Sequence, residues 1–148
     1  MNDFSSQLHD EKTFYKAFIL DLKNCKKEVI IESPYITVSR MKILRPVFEK
    51  LVKREVRIYF ITRDPKEHDE SMEIQSEEEI RYCEILGIQV LLCIGNHHRK
   101  LAILDRKILW EGSLNILSQT HSREIMRRIE NKAITMEIFS FLKLDKII

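Results

Sequence analysis

Three short apolar runs constrain this chain more than anything else in it: "EVII" at 28–31, "VRIYFIT" at 56–62 and "IQVLLC" at 88–93. Each has strand length and is too short for a helix. "KEVIIES" lacks polar–apolar alternation, the pattern of a strand buried on both faces, and Ser33-Pro34 stops it. Stretches with helical spacing separate the runs. "EKTFYKAFILDLKNC" places Phe14, Ala17, Phe18 and Leu22 on one face. "SRMKILRPVFEKLVKRE" is amphipathic, with Ser39 as the expected N-cap and Pro46 as a source of a kink or a late start. "MEIQSEEEIRYCEILG" is a third helix, placed to end at Gly87. After Cys93 the pattern changes. "HRKLAIL" and "KILWEGS" read as two strands joined around Asp105-Arg106, an antiparallel hairpin. "REIMRRIE" fits either a helix or a sixth strand, and "NKAITMEIFSFLKLDK" is the closing helix, with Asn131 as its cap.

Helices alternating with buried strands imply an α/β fold. The expected sheet is mixed and largely parallel, flanked by helices on both faces. The 148 residues suit a single domain over 1–148, with a core at about 10–130 and a C-terminal helix at about 131–146. No apolar run approaches eighteen residues, so no membrane span is expected. The start, "MNDFSSQLHDEKTF", shows no basic region followed by an apolar stretch, so no signal peptide is expected and a cytoplasmic location is. Cys25, Cys83 and Cys93 are odd in number and lie among apolar residues, as buried reduced thiols do.

The net charge of +2 conceals an uneven distribution. Nine acids face two bases between Asp64 and Glu84, and seven bases face three acids between Asn96 and Arg128. A basic surface favours a phosphate-bearing partner. The basic half also holds the polar residues that a sheet core would not choose. His98, Lys100 and Asp105 form H-x-K-x(4)-D, and Gly112, Ser113 and Asn115 follow as G-S-x-N, with Glu124 nine residues after Asn115. Residues i and i+2 of a strand share a face. Adjacent strands can therefore present an imidazole, an ammonium, a hydroxyl and an amide to one spot. Phosphodiester cleavage uses those groups: donors for the non-bridging oxygens and an imidazole to attack phosphorus or carry a proton. A carboxylate such as Glu124 can accept the other ring N–H.

"HRKLAILD" and "GSLN" resemble the phospholipase D superfamily, with "REIMRRI" supplying the acid that follows and "EVIIESPYI" similar to the first strand and loop of its nuclease-like members. The resemblance implies a phospholipase D-like fold and a phosphodiesterase that uses no metal and no cofactor. His98 would be nucleophile or general acid/base, Lys100 and Asn115 would bind the phosphate, and Ser113 would lend a donor. Glu124 would orient His98, while Asp105 and Gly112 would be structural. Enzymes of the superfamily place two such motifs in one site. Here His9, His68, His97 and His121 are followed at +2 by Glu11, Glu70, Arg99 and Arg123, so only one H-x-K exists. The chain thus resembles the single-motif bacterial nucleases, which build one site across a homodimer two-fold. "REIMRRIEN" also resembles domains found with superfamily 1 helicase-like proteins, which makes a helicase-like region a candidate partner.

The expected substrate is nucleic acid, DNA first, with Tyr35, Arg99, Arg127 and Arg128 as candidate contacts. Two other readings stand beside it: a DNA-binding or targeting module without turnover, and a phospholipase acting on lipid head groups. Cys93, His68, His97 and His121 have no metal-site spacing, so no metal is expected.

Overall fold

The computed structural model describes residues 5–118 and 121–148. Residues 1–4, which open the segment read as carrying no signal peptide, lie outside the described residues. The chain runs β1 (Ser5–Asp10), α1 (Phe14–Lys23), β2 (Glu28–Glu32), α2 (Val38–Lys53), β3 (Arg57–Arg63), α3 (Glu70–Leu86), β4 (Gln89–Cys93), β5 (Leu101–Leu104), β6 (Ile108–Gly112), β7 (Ile125–Glu130) and α4 (Lys132–Phe141). The strands form one mixed sheet in the order β1-β7-β6-β5-β2-β3-β4.

Alternation along the strands divides the core into two layers. Val29 and Ile31 of β2 face α1, α2 and α3, where Phe14, Phe18, Leu44, Phe48 and Ile80 pack against them with Phe60 and Trp110. Ile30 faces the other way, with Ile61, Ile103, Leu109 and Ile129, and is covered by Phe139 of α4 and by Leu144. All five residues of β2 are buried, as its unbroken apolar run predicts.

The expected α/β class, mixed sheet and helices on both faces are present. The parallel share is smaller than expected: only β2–β3 and β3–β4 are parallel, and the other four pairings are antiparallel. The cause lies in the connections. α2 and α3 are the crossovers that parallel neighbours require, whereas β5, β6 and β7 follow one another with no helix among the described residues between them. "REIMRRIE" resolves to a strand, β7. β1 has no counterpart in the sequence reading. It is an edge strand, mostly exposed and held by its pairing to β7, so no burial pattern marks it.

Smaller differences have local causes. Thr37 rather than Ser39 caps α2, its side chain accepting from the Arg40 N–H at 3.4 Å. Gly87 ends α3 at φ 105°, the left-handed conformation the cap demands. The closing helix is shorter than expected, because Lys143 turns left-handed at φ 55° and sends Leu144 back into the core. Cys25, Cys83 and Cys93 are all free, and burial pushes the Cys25 and Cys83 thiols up to about 12. No described helix is long and apolar enough to cross a membrane.

Candidate active site

His98, Lys100, Gly112, Ser113 and Glu124 gather at one end of the sheet, where β2, β3 and β4 end and β5 begins. The carboxyl ends of parallel strands are where sites form in α/β sheets. The β2–β5 ladder ends at the pair Glu32–Leu101, because β2 leaves the sheet at Ser33-Pro34. The stretch 94–100 is therefore released from pairing. His98 and Lys100, expected on a strand, stand just ahead of it. They still meet: the Lys100 ammonium lies 2.8 Å from His98 Nδ1 and also donates to the His98 carbonyl at 2.8 Å. An ammonium only donates, so with Lys100 charged this contact makes Nδ1 the acceptor and leaves the ring proton to Nε2. Burial pulls the Lys100 ammonium below its ordinary value, and the Glu124 carboxylate pushes the other way.

The facing wall comes from β6 and β7. The Ser113 N–H donates to the Ile125 carbonyl at 2.9 Å, and Ser113 Oγ accepts from the Ile125 N–H at 3.0 Å. The same hydroxyl donates to the Glu124 carboxylate. Glu124 is thus bonded to Ser113 in the single chain, while His98 Nδ1 is taken by Lys100. A hollow of about 560 Å³ opens here, and His98, Lys100, Gly112 and Arg127 line it beside the apolar Leu8 and Ile125. Ser113, Asn115 and Glu124 stand outside its lining, and the Asn115 side-chain oxygen is buried with no hydrogen-bond partner among the described residues.

Gly112 allows the two walls to approach. A Cβ at this position would collide with the Ile125 carbonyl oxygen and stand 2.8 Å from Met126 Sδ and 2.9 Å from Met126 Cα. Two of these contacts are backbone, so β6 and β7 would have to separate. Gly112→Ala should cost about 1–3 kcal/mol or more, the range for overpacking a tight site. The check is a denaturant midpoint, which should fall together with any activity, since Ser113 and Glu124 move with the strands.

Asp105 acts at the other end of β5. It and Arg106 form a two-residue turn with φ 52° and 56°, as a hairpin of this hand requires. Its carboxylate accepts the backbone N–H groups of Lys26, Lys27 and Glu28 at 2.9, 2.8 and 3.0 Å. Burial pushes its pKa up, but the three amides outweigh it and hold the carboxyl below its ordinary value. Asp105 ties the hairpin to the start of β2.

The candidate contact residues divide. Arg127 lines the hollow and donates to Ser6. Arg128 points to the other face, where Asp21 holds it through two bonds at 2.7 and 3.0 Å. Tyr35 is stacked on His68 at 4.9 Å, with Arg63 3.5 Å from its hydroxyl.

Glu32 was not among the expected site residues. Its side chain is fully buried at the end of β2, and Arg99 donates to its Oε1 at 3.1 and 2.9 Å. His97 Nε2 lies 3.3 Å from the same oxygen but is misaligned for a hydrogen bond. Glu32 therefore touches the residues on both sides of His98. The available signal was an acid inside a run that reads as buried. Burial raises its pKa more than the half-exposed Arg99 lowers it. A carboxyl raised in the fold contributes stability below its unfolded value and loses it as pH rises through the folded one. Wild type should therefore lose stability relative to Glu32→Gln as pH climbs from about 4.5. Urea titrations across that range check the sign. A wild-type advantage that grows with pH would mean that Arg99 outweighs burial.

Among the described residues no group of three or more His, Cys, Asp or Glu side chains could hold a metal ion.

The family model described as "Cardiolipin synthase, PLD-like domain" matches residues 18–143. No curated protein matches the chain. Among solved structures it is similar to NucT from Helicobacter pylori, with a TM-score of 0.74 and 17% identity over 95% of this chain and 94% of that one. It is also similar to Nuc, a phospholipase D family member from Salmonella typhimurium, with a TM-score of 0.75 and 16% identity over 95% and 93%. A third similar structure is phosphatidylserine synthase from Haemophilus influenzae, with a TM-score of 0.74 and 14% identity, where 99% of this chain covers 39% of that one. Identities this low speak to the fold alone.

Proposed function

The chain belongs to the phospholipase D-like family, and on that premise we propose that it is a metal-independent phosphodiesterase cleaving nucleic acid, DNA above all, through a phosphohistidine. One observation carries the reading: the Lys100 ammonium rests on the His98 imidazole at a strand-end hollow, with the Ser113–Glu124 pair just past the end of β6 and just ahead of β7. In this resting arrangement Nδ1 is occupied. A phosphate entering the hollow draws Lys100 to its non-bridging oxygens and frees Nδ1. With the ring proton moved to Nδ1 and held by a carboxylate, the role read for Glu124, the Nε2 lone pair attacks phosphorus. The P–O bond to the leaving group breaks as the N–P bond forms. The leaving oxygen takes a proton from a second imidazole. Water, deprotonated by that imidazole, then displaces Nε2 from phosphorus and returns His98.

The second imidazole is the reason for proposing a homodimer. The sequence carries one H-x-K, and an isologous two-fold supplies the same histidine twice. Leu8 and Ile125, 58% and 56% exposed beside the hollow, are apolar surface that a second copy would cover. The active species should therefore be a dimer by light scattering at assay concentration. A strictly monomeric active protein would sink this part of the reading.

A lipid head group is the second substrate reading, favoured by the cardiolipin synthase description and the likeness to phosphatidylserine synthase. The experiment that tests the proposal incubates the protein with plasmid DNA, single-stranded DNA and anionic phospholipid vesicles in excess EDTA. DNA cleavage is the expected result. Turnover of lipid alone would replace the substrate class. Tight DNA binding without cleavage would leave a targeting module.

A further inference from the structure

The bases of the 96–128 segment do not all gather at the candidate site. Arg106 and Lys107 belong to the β5–β6 turn, at the far end of β5 from Lys100. There the turn meets the starts of β2, β3 and α4, and six cations surround one hollow of about 490 Å³: Lys26, Lys27, Arg57, Arg106, Lys107 and Lys132. The two carboxylates in the hollow are already committed. Glu28 holds Arg106 through bonds at 2.9 and 3.1 Å, and Asp105 is bound to three backbone amides. Six cations against two carboxylates leave four positive charges in one place, whereas the whole chain carries +2, so the remainder of the molecule is net acidic. Of the six, Arg106 alone is in an ion pair among the described residues. Like charges around a concavity repel one another, and a polyanion relieves that repulsion.

We propose that this hollow is a second nucleic-acid contact, gripping the sugar-phosphate backbone at a distance from the cleavage site. The naming of the polyanion as nucleic acid rests on the nuclease reading. Four of the cations are flexible lysines, and among the described residues no aromatic side chain lines the hollow to stack a base, so the contact reads backbone charge and not sequence. Lys100 and Asp105 flank the two ends of β5, five residues apart, roughly 17 Å at strand spacing. On duplex DNA that separation corresponds to about five base-pair steps. Both hollows open on the face that carries α4: Met136 lines this one, and Glu111 and Arg127 of the other share the strand face of Leu109 and Ile129.

The test compares two triple variants of the full chain with wild type. Lys27→Ala, Arg57→Ala and Lys107→Ala remove three of the hollow's six cations. Lys16→Ala, Lys42→Ala and Arg81→Ala remove the same charge from exposed positions on α1, α2 and α3. Affinity for a labelled 30-base-pair duplex is measured by anisotropy across salt, and turnover is measured with bis(p-nitrophenyl) phosphate, which is too small to reach the second hollow. The hollow variant should lose about tenfold or more in affinity near 0.1 M salt, and its slope of log K against log salt should fall by about 0.9 for each phosphate released. The control set should keep most of both, and small-substrate turnover should match wild type in each. Equal losses in the two variants, or no DNA binding by wild type, would overturn the proposal. If wild type turns over neither substrate while the hollow variant alone loses DNA affinity, the backbone contact stands and the nuclease reading fails.

Discussion

His98→Ala should abolish turnover and leave the fold and most of the DNA affinity in place. The imidazole is exposed and lies outside both core clusters, and its one side-chain hydrogen-bond partner among the described residues is Lys100, so truncation opens no cavity. A nucleophile has no substitute in a covalent mechanism, and its removal should cost on the order of 10⁴-fold or more in rate. In the proposed mechanism binding draws on Lys100, Ser113 and the surrounding bases, which remain. Three measurements separate the mechanism from general damage. The thermal midpoint should be unchanged. Anisotropy should give a near wild-type affinity. Denaturing gels after a brief reaction with radiolabelled DNA should show an acid-labile protein–phosphate adduct in wild type and none in the variant. Substantial turnover by purified His98→Ala protein would remove the basis for reading "HRKLAILD" as catalytic. Glu124→Gln should be milder, because the nucleophile remains and only its orientation and charge support are lost.

The core was legible because burial leaves periodicity in the sequence. The run at 28–31 has no polar interruption and is buried throughout, and the hairpin around Asp105-Arg106 announced itself by two apolar runs flanking a polar pair. β1 was not legible for the complementary reason. It contributes backbone hydrogen bonds at an exposed edge, and those leave no trace in residue type. The sheet's antiparallel share escaped because strand direction is set by connections, and the 113–124 connection gives no local sign of where its strand will dock. The motif spacing correctly put His98 beside Lys100, although through a loop and not a strand. What spacing could not reveal was the layer behind it. Glu32 comes from 66 residues upstream of His98, and its meeting with Arg99 follows from the β2–β5 pairing. Charge counting failed in an instructive way as well. The 96–128 segment is basic in sequence, but its bases part between the two ends of the sheet and the face of α1, because a hairpin returns on itself.

Lys100→Ala should depress both binding and rate, which distinguishes it from His98→Ala. Its ammonium is aimed at the phosphate in the proposed mechanism, where charge on the non-bridging oxygens grows toward the transition state. Loss of one such donor costs on the order of 3 kcal/mol, about a hundredfold or more in rate. KM should rise as well, since the ground-state phosphate already carries charge. The same ammonium also steadies His98 through Nδ1 and the carbonyl, so the variant loses part of its preorganisation. Lys100→Arg should recover part of the affinity and little of the rate, because a planar fork cannot reproduce a compact point charge at 2.8 Å from the imidazole. The pH profile tests the role more sharply than either rate. Burial lowers the Lys100 pKa and Glu124 raises it. Glu124→Gln removes the opposing carboxylate, so Lys100 should lose its proton earlier and the alkaline limb of kcat/KM should move to lower pH. In Lys100→Arg that limb should vanish from the accessible range, because a guanidinium stays charged there. An alkaline limb that stays in place in both variants would mean that Lys100 is not the group whose charge the reaction needs.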